Sequence, residues 1–270
     1  MIRKLLGRSL LWLKVLKTYR GLTFKSGFNL LLSAVVDTFL YALLGPGRFN
    51  PRLVLKGVFL YRVENLGIVV VRGGTDDFYH LIPGREGDVD YFIRSNLRSG
   101  SVFVDVGANV GYYTLLASKL VGAQGRVYAV EAVPSTASIL KANVKLNECR
   151  NVRVYNVAAW HSKGQIVLSI PQSMYGFASV AKGSGETLMV NATTLDDILK
   201  EEGFVDLIKI DVEGAEYEVL IGAKEVLSRV GCLVVELSRN VREVLKLLTR
   251  YGFRVRKAKL TAYIIACRGW

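Results

Sequence analysis

Cysteine and histidine are scarce in this 270-residue chain: Cys149, Cys232 and Cys267 are the only thiols, His80 and His161 the only imidazoles. No two cysteines form a CxxC pair and none stands at metal-ligand spacing from a histidine, which excludes a cysteine- or histidine-built metal centre. The three thiols are expected as buried apolar fillers in a reducing, cytosolic setting. No segment repeats at a solenoid period, so a repeat array is excluded as well. Acid is absent from residues 1 to 36, which carry seven Lys/Arg, so more than half of the net charge of +13 lies in that leader. A basic surface attracts nucleic acid, anionic lipid or acidic substrates alike. Half of the residues are hydrophobic, enough for a substantial core in one large or two small domains.

Composition divides the chain into a basic amphipathic and hydrophobic leader (1–48), a lead-in subdomain of short strands and a helix (49–98), and a core (99–270). In the leader, Ile2, Leu5, Leu6, Leu10, Leu13 and Leu16 share one side of a helical wheel; Arg3, Lys4, Lys14 and much of Arg8 and Lys17 share the other. That is the composition of a basic helix in a membrane interface, and equally of a helix packing on its own domain. The following run, Phe28 to Leu44, contains one charge, Asp37. Its length is marginal for a bilayer span, and a central aspartate costs roughly 2.5–3.5 kcal/mol of insertion. No small-residue cleavage site follows, and the Gly45 to Arg48 stretch, GPGR, reads as a turn.

LVLKGVFLYRV and LGIVVVRG read as strands in the lead-in, with a helix from Asp88 to Leu97. Beyond Gly100 strands alternate with amphipathic helices, the pattern of an α/β, doubly wound, mostly parallel sheet. Expected strands are Val102–Val106, Arg126–Val130, Val152–Asn156, Leu207–Asp211 and Leu233–Leu237. Expected helices are Tyr112–Lys119, Ser135–Leu146, Ala215–Leu227 and Val241–Thr249. Phe253–Lys257 and Tyr263–Ala266 are too close for a crossover, so they are expected as an antiparallel pair at the sheet edge. Between the third and fourth core strands lies an insert with strand-like Ile166–Ile170 and Ser179–Ala181, separated by turn residues Gln172–Gly176 and followed by KGSGE. An insert at that place is a candidate substrate lid.

VFVDVGANVGYYT, Val102 to Thr114, stands where a nucleotide-binding turn belongs, between the first core strand and the first core helix. Gly107 and Gly111 permit positive φ and close backbone approach, and the helix N-terminus offers free N–H groups. A dinucleotide fold favours G-x-G-x-x-G, but Asn109 replaces the second glycine. One strand later, Glu131 ends the run VYAV, where a carboxylate accepts hydrogen bonds from a ribose. In LIKIDVEGAEYEVL, Leu207 to Leu220, apolar residues alternate with Lys209, Asp211 and Glu213, placing three charges on one face near a strand's carboxyl end. Lys209 is expected to meet a carboxylate there, with Asp105 a candidate, and a purely structural ion-pair network is the alternative. Glu216 and Glu218 read as first-turn acids favouring a helix dipole.

The combination of VFVDVGANVGYYT, YAVEAVP, VNATTLDDI and DLIKIDVEGAEYEVLIGA resembles the FkbM family of S-adenosylmethionine-dependent methyltransferases, over roughly Leu97 to Ala266. The resemblance implies a class I, Rossmann-like methyltransferase core with a seven-stranded sheet and, commonly, methylation of a hydroxyl oxygen. It implies that Asp105, Gly107, Ala108, Asn109, Gly111 and Tyr112 hold the methionyl and ribose parts, Glu131 the ribose hydroxyls, and Asn156, Val157 and Ala158 the adenine. Removing the proton of an alcohol calls for a nearby base. Asp211 is the first candidate, Glu213 the second, with Lys209 beside them as a further catalytic candidate; His161 is a weaker one. Two carboxylates do not establish a metal site, and none is assigned. The acceptor classes open are sugars, glycans, lipids and small metabolites, with an anionic membrane surface as a partner for residues 1–44 and a cytoplasmic site, peripheral at the inner membrane face. The basic charge alternatively suggests nucleic-acid modification or binding, against which the fourth strand continues as D-V-E-G and lacks the N-P-P-aromatic turn of base-amino methylation. A non-catalytic membrane scaffold is the third reading.

Overall fold

The computed structural model describes residues 2–45, 49–171, 174–180, 186–259 and 261–269, with the side chains of residues 2–5 and of residue 177 outside that description. The leader forms two helices, α1 (Ile2–Thr18) and α2 (Phe24–Leu44), joined through a short strand β1 (Tyr19–Gly21). β1 pairs antiparallel with β2 (Gly57–Val63), which pairs antiparallel with β3 (Gly67–Gly73), so the lead-in sheet includes a leader strand that sequence periodicity does not reveal. Leu53 to Lys56, expected as strand, is irregular. Two helices follow, the short α3 (Asp77–His80) and α4 (Gly87–Asn96).

The core contains a seven-stranded mixed sheet built on β4 (Val102–Val106), β5 (Arg126–Val130) and β6 (Val152–Tyr155), with α5 (Tyr112–Val121) and α6 (Pro134–Leu146) as crossovers. An insert follows, with β7 (Ala158–Ala159), β8 (Gly164–Ile170) and β9 (Glu186–Thr193) forming a separate three-stranded sheet. Ser179 makes a single bridge to Ser169 within it, while Ala181 and most of KGSGE lie outside the described residues, as do Pro46 to Arg48 of GPGR. The chain then passes through α7 (Leu195–Ile198), β10 (Val205–Ile210), α8 (Glu216–Ile221), α9 (Lys224–Ser228), β11 (Val230–Glu236), α10 (Val241–Arg250), β12 (Arg254–Lys257) and β13 (Tyr263–Cys267). The single helix expected over Ala215–Leu227 is two, broken at Gly222. A Cβ there would sit 2.0 Å from the Trp160 carbonyl oxygen, so the insert packs where a side chain would otherwise be.

Sheet order is β12-β13-β11-β10-β4-β5-β6, with β12 and β13 antiparallel at the edge as expected. β4 and β10 are almost wholly buried, because helices cover both faces of a parallel sheet. Val104, Leu207, Ile208 and Ile210 are fully buried, each contributing about 1.5–3 kcal/mol relative to exposure. Strands are added on one side of β4 as far as β6 and then on its other side from β10, and the crevice beyond the carboxyl ends of strands at such a switch in order is where ligands bind.

Residues from all three compositional segments share one buried cluster: Trp12 and Tyr19 pack with Phe59, Phe78, Phe103 and Leu207. The lead-in edge is closed by amides of α6 and its C-cap. Asn143 Oδ1 accepts from Val70 N at 2.6 Å, while Asn147 Oδ1 accepts from Ile68 N at 2.9 Å and its Nδ2 donates to Ile68 O at 2.6 Å. Cys232 and Cys267 face one another in the β11–β13 register and form a disulfide, correcting the expectation of three free thiols. Cys149 is free. The pairing removes the support that unpaired thiols lent to a reducing compartment.

Candidate active site

The turn after β4 is built from backbone requirements. Gly107 has φ 76° and Gly111 φ 101°, and Asn109 between them also adopts a left-handed conformation, φ 50°. A Cβ on Gly107 would lie 1.8 Å from the Asp211 carbonyl oxygen, so this position admits no side chain. The N–H groups of Gly107 and Ala108 both donate to Val130 O, which fastens the turn to the end of β5. Glu131, one residue on, accepts from Asn109 N at 2.9 Å through one carboxylate oxygen and from Val133 N at 2.8 Å through the other. Burial raises its pKa to about 7, with the two backbone N–H bonds opposing the shift.

The second wall comes from β10. Lys209 is directly opposite Asp105 on β4, and its Nζ lies 4.0 Å from Asp105 Oδ1 and 3.1 Å from Asp211 Oδ2. The expected lysine–carboxylate meeting is therefore observed with both acids. Asp105 Oδ2 accepts from Thr114 Oγ1 at 2.7 Å, while Oδ1 is buried with no hydrogen-bond partner among the described residues. Burial pushes the Asp105 pKa up against the opposing pull of Lys209. Asp211 Oδ2 also accepts from Tyr263 Oη at 2.6 Å. Burial disfavours its charge, but Lys209 and bonds from Glu236 and Tyr263 prevail and hold its pKa well below the usual carboxylate range. The adjoining Glu236 is displaced the other way, up to about 9, by burial and by its hydrogen bond with Asp211. At neutral pH the pair thus shares one proton and carries one negative charge.

Glu213 stands in the turn after β10 with φ 50°, followed by Gly214 at φ 101°. Non-glycine residues in this region carry strain of order 1–3 kcal/mol and concentrate at functional sites. Burial, then repulsion from Asp211 and Glu216, raises the Glu213 pKa to about 7. Carboxylate oxygens of Asp211, Glu213 and Glu236 lie within 4.8 Å of one another. Glu216 is buried and accepts from Gly214 N at 2.8 Å, so it fastens this turn and does more than complement a helix dipole.

These walls enclose a cavity of about 250 Å³. Of the sequence-predicted residues, Asp105, Gly107, Ala108, Asn109, Gly111, Tyr112, Glu131, Val157, Ala158, Lys209, Asp211 and Glu213 all line it. Asn156 does not; its Nδ2 donates to the carbonyls of Glu131 and Ala132 at 2.9 and 3.1 Å and sets the strand end that carries Glu131. His161 is exposed and outside the lining, whereas Trp160 and His80 contribute to it. Tyr79, Arg85, Glu86, Tyr113, Tyr175 and Glu236 also line the cavity and were not anticipated. Glu236 had a legible signal, an acid at the carboxyl end of the strand beside β10. Tyr113 follows the predicted Tyr112 in α5, and the others arrive from distant segments. Asp76 accepts from the N–H groups of Tyr175 and Gly176 at 3.1 and 2.8 Å, tying the insert to the lead-in across the cavity mouth.

The donor set fits S-adenosylmethionine. Glu131 presents a carboxylate to the cavity where ribose hydroxyls would donate, and Asp105 keeps a buried oxygen that receives no hydrogen bond, beside the turn that would receive the cationic methionine end.

Comparison with known proteins agrees. The model of the methyltransferase FkbM domain matches residues 105–255, more than half of the chain. The hexuronic acid methyltransferase AglP of Haloferax volcanii is 30% identical over 181 residues, 65% of this chain and 72% of that protein. Methyltransferase sdnD of Sordaria araneosa is 28% identical over 48% of this chain, a match spanning 63% of the relative's own length. The 31-O-demethyl-FK506 methyltransferase FkbM of Streptomyces tacrolimicus is 26% identical over 59% of this chain and 75% of its own. Among solved structures, a precorrin-6y C5,15-methyltransferase of Geobacter metallireducens superposes with TM-score 0.45 at 19% identity, covering 70% of this chain and 91% of that one. By this family match, with the sheet order and turn described above, the chain belongs to the FkbM methyltransferase family and is an S-adenosylmethionine-dependent methyltransferase of class I fold.

Proposed function

We propose that the protein methylates a hydroxyl oxygen on a sugar, glycan, lipid or small metabolite, with Glu213 as the base. The observation carrying this reading is a cavity-lining carboxylate on a strained turn with its pKa raised to about 7. Efficient general bases have pKa values near the working pH. Asp211, expected first from its strand position, is stabilised as an anion by Lys209 and Tyr263 and is therefore a weak proton acceptor. We assign it, with Lys209, to holding charge and position at the cavity base. S-adenosylmethionine, when bound, would supply an electrophilic methyl group, its carbon–sulfur bond breaking to release the neutral thioether. Glu213 takes the acceptor's hydroxyl proton as oxygen attacks, and the cavity walls, which include Trp160 and Tyr175, position the acceptor for that attack.

A carbohydrate acceptor is supported by AglP, whose name specifies hexuronic acid. The Streptomyces relative supports oxygen as the accepting atom, its name marking a 31-O-demethyl substrate. Nucleic acid is disfavoured, since much of the basic excess belongs to residues 1–36 and the D-V-E-G turn replaces the base-methylating one. We place the enzyme in the cytoplasm, peripheral at the inner face of a membrane whose anionic lipids attract a basic leader. The test is turnover with sugar-acid and glycan acceptors. Glu213→Gln should lose at least about a hundredfold in kcat while binding cofactor normally, the size expected for a general base. A fully active Glu213→Gln variant would remove Glu213 from this role.

A further inference from the structure

The helix α2 is inverted in polarity. Its buried side chains include Ser26, Asn29, Ser33 and Asp37, which recur at three- and four-residue steps and face the protein. Its outward stripe is apolar: Phe24 is 90% exposed, Phe28 52%, Leu31 58%, Val35 69%, Phe39 64% and Leu43 69%. A helix stabilised by a water-facing surface shows the opposite arrangement. The sole acid of α2, Asp37, leaves the outward face altogether, because its carboxylate accepts from Arg8 Nε and Trp12 Nε1, each at 2.6 Å. On α1, Leu6, Leu10 and Leu13 are more than half exposed as well.

We propose that the outward face of α2 is a lipid-docking surface, by which the protein lies on an anionic bilayer without crossing it. Three observations select lipid as the occupant. The stripe runs the full helix, about 32 Å at 1.5 Å per residue, and forms a line more than a compact patch. Exposed Lys14, Lys17, Arg20 and Lys25 belong to a segment with no acid, matching an anionic headgroup layer. Crossing is opposed by the inner face. Ser26 Oγ accepts from Leu60 N at 3.2 Å, Asn29 Oδ1 from Leu55 N at 3.1 Å and Ser33 Oγ from Val54 N at 2.9 Å, and a spanning helix would strip these bonds in a medium with no substitute. The same leader supports the cavity wall: Trp12 stacks on Phe78 at 5.4 Å, Tyr19 Oη donates to Leu81 O at 2.7 Å and Lys14 Nζ to Pro83 O at 2.8 Å. The leader thus joins the docking face to the segment from Tyr79 to Glu86, of which Tyr79, His80, Arg85 and Glu86 line the cavity.

The proposal stands apart from methyl transfer and is tested on the full chain by flotation with phosphatidylcholine vesicles, with and without phosphatidylglycerol. The wild type should float, more strongly with phosphatidylglycerol. The L31E/V35E/F39E variant, altered only at exposed positions, should lose at least about tenfold of its partitioning, with melting temperature and S-adenosylmethionine binding unchanged. K17Q/R20Q should lose the preference for phosphatidylglycerol. A wild type that remains unbound to either vesicle would overturn the proposal. So would a vesicle-free dimer by sedimentation that L31E/V35E/F39E dissociates while vesicle binding is absent, which would assign the stripe to a second copy of the chain.

Discussion

Assigned to the ribose hydroxyls, Glu131 should make cofactor affinity weaken as pH falls. Its carboxylate is buried, carries two backbone N–H bonds and titrates near 7 in place of its ordinary 4.5. Ribose hydroxyls donate best to the anion, so binding below pH 7 must first release a proton. The dissociation constant of S-adenosylmethionine should then be flat above about pH 8 and weaken about tenfold per pH unit below 7. Calorimetry between pH 5 and 8, in buffers of different ionisation enthalpy, reads both the affinity and the proton release. Glu131→Gln should flatten the profile and weaken binding at pH 8 by about 1.5–3 kcal/mol, the range for a hydrogen bond to a charged group. Without cofactor the sign is reversed. A carboxylate raised on folding stabilises the native state below about 4.5, and that contribution, of order 3 kcal/mol, is lost as pH climbs to about 7. A wild-type affinity independent of pH, or a Glu131→Gln variant that binds like wild type, would refute the reasoning.

At saturating S-adenosylmethionine, kcat should rise with pH through about 7 as Glu213 ionises, and Glu213→Gln should abolish that limb; Asp211→Asn should retain it at lower kcat, which pH–rate profiles will show. Asn143→Leu leaves the buried Val70 N–H and Val110 C=O unpaired and should cost about 2–4 kcal/mol, measured by urea denaturation. Asp37→Ala strands Arg8 and Trp12 Nε1 and should cost about 3–5 kcal/mol in the same assay, with cofactor affinity preserved in the folded fraction.

What was legible in the sequence was mostly what the backbone demands. D-V-G-A-N-V-G and D-V-E-G stand out because Gly107, Asn109, Gly111, Glu213 and Gly214 occupy left-handed conformations that few residues accept. The parallel strands were legible because burial on both faces makes them nearly continuous apolar runs. Side chains reaching the cavity from elsewhere were not. Tyr263 meets Asp211 only because β13 returns antiparallel beside β11, and the same return sets Cys232 against Cys267 across 35 residues of chain. Arg85, Glu86 and Tyr175 enter from the lead-in and the insert, where no local pattern marks them. In the leader, periodicity reveals two faces but not which one the protein covers. On α1 the inward face holds Arg8, Trp12 and Val15, and Leu6, Leu10 and Leu13 point outward.

The central claim is methyl transfer to oxygen. Incubation of the enzyme with S-adenosylmethionine carrying an isotopically labelled methyl group, with glycan, sugar-acid, lipid and RNA fractions as acceptors, followed by mass spectrometry, tests it most directly. The label should appear as a methyl ether in the carbohydrate or lipid fraction, and not with Glu213→Gln. Label on a nitrogen atom, or in the RNA fraction alone, would contradict it.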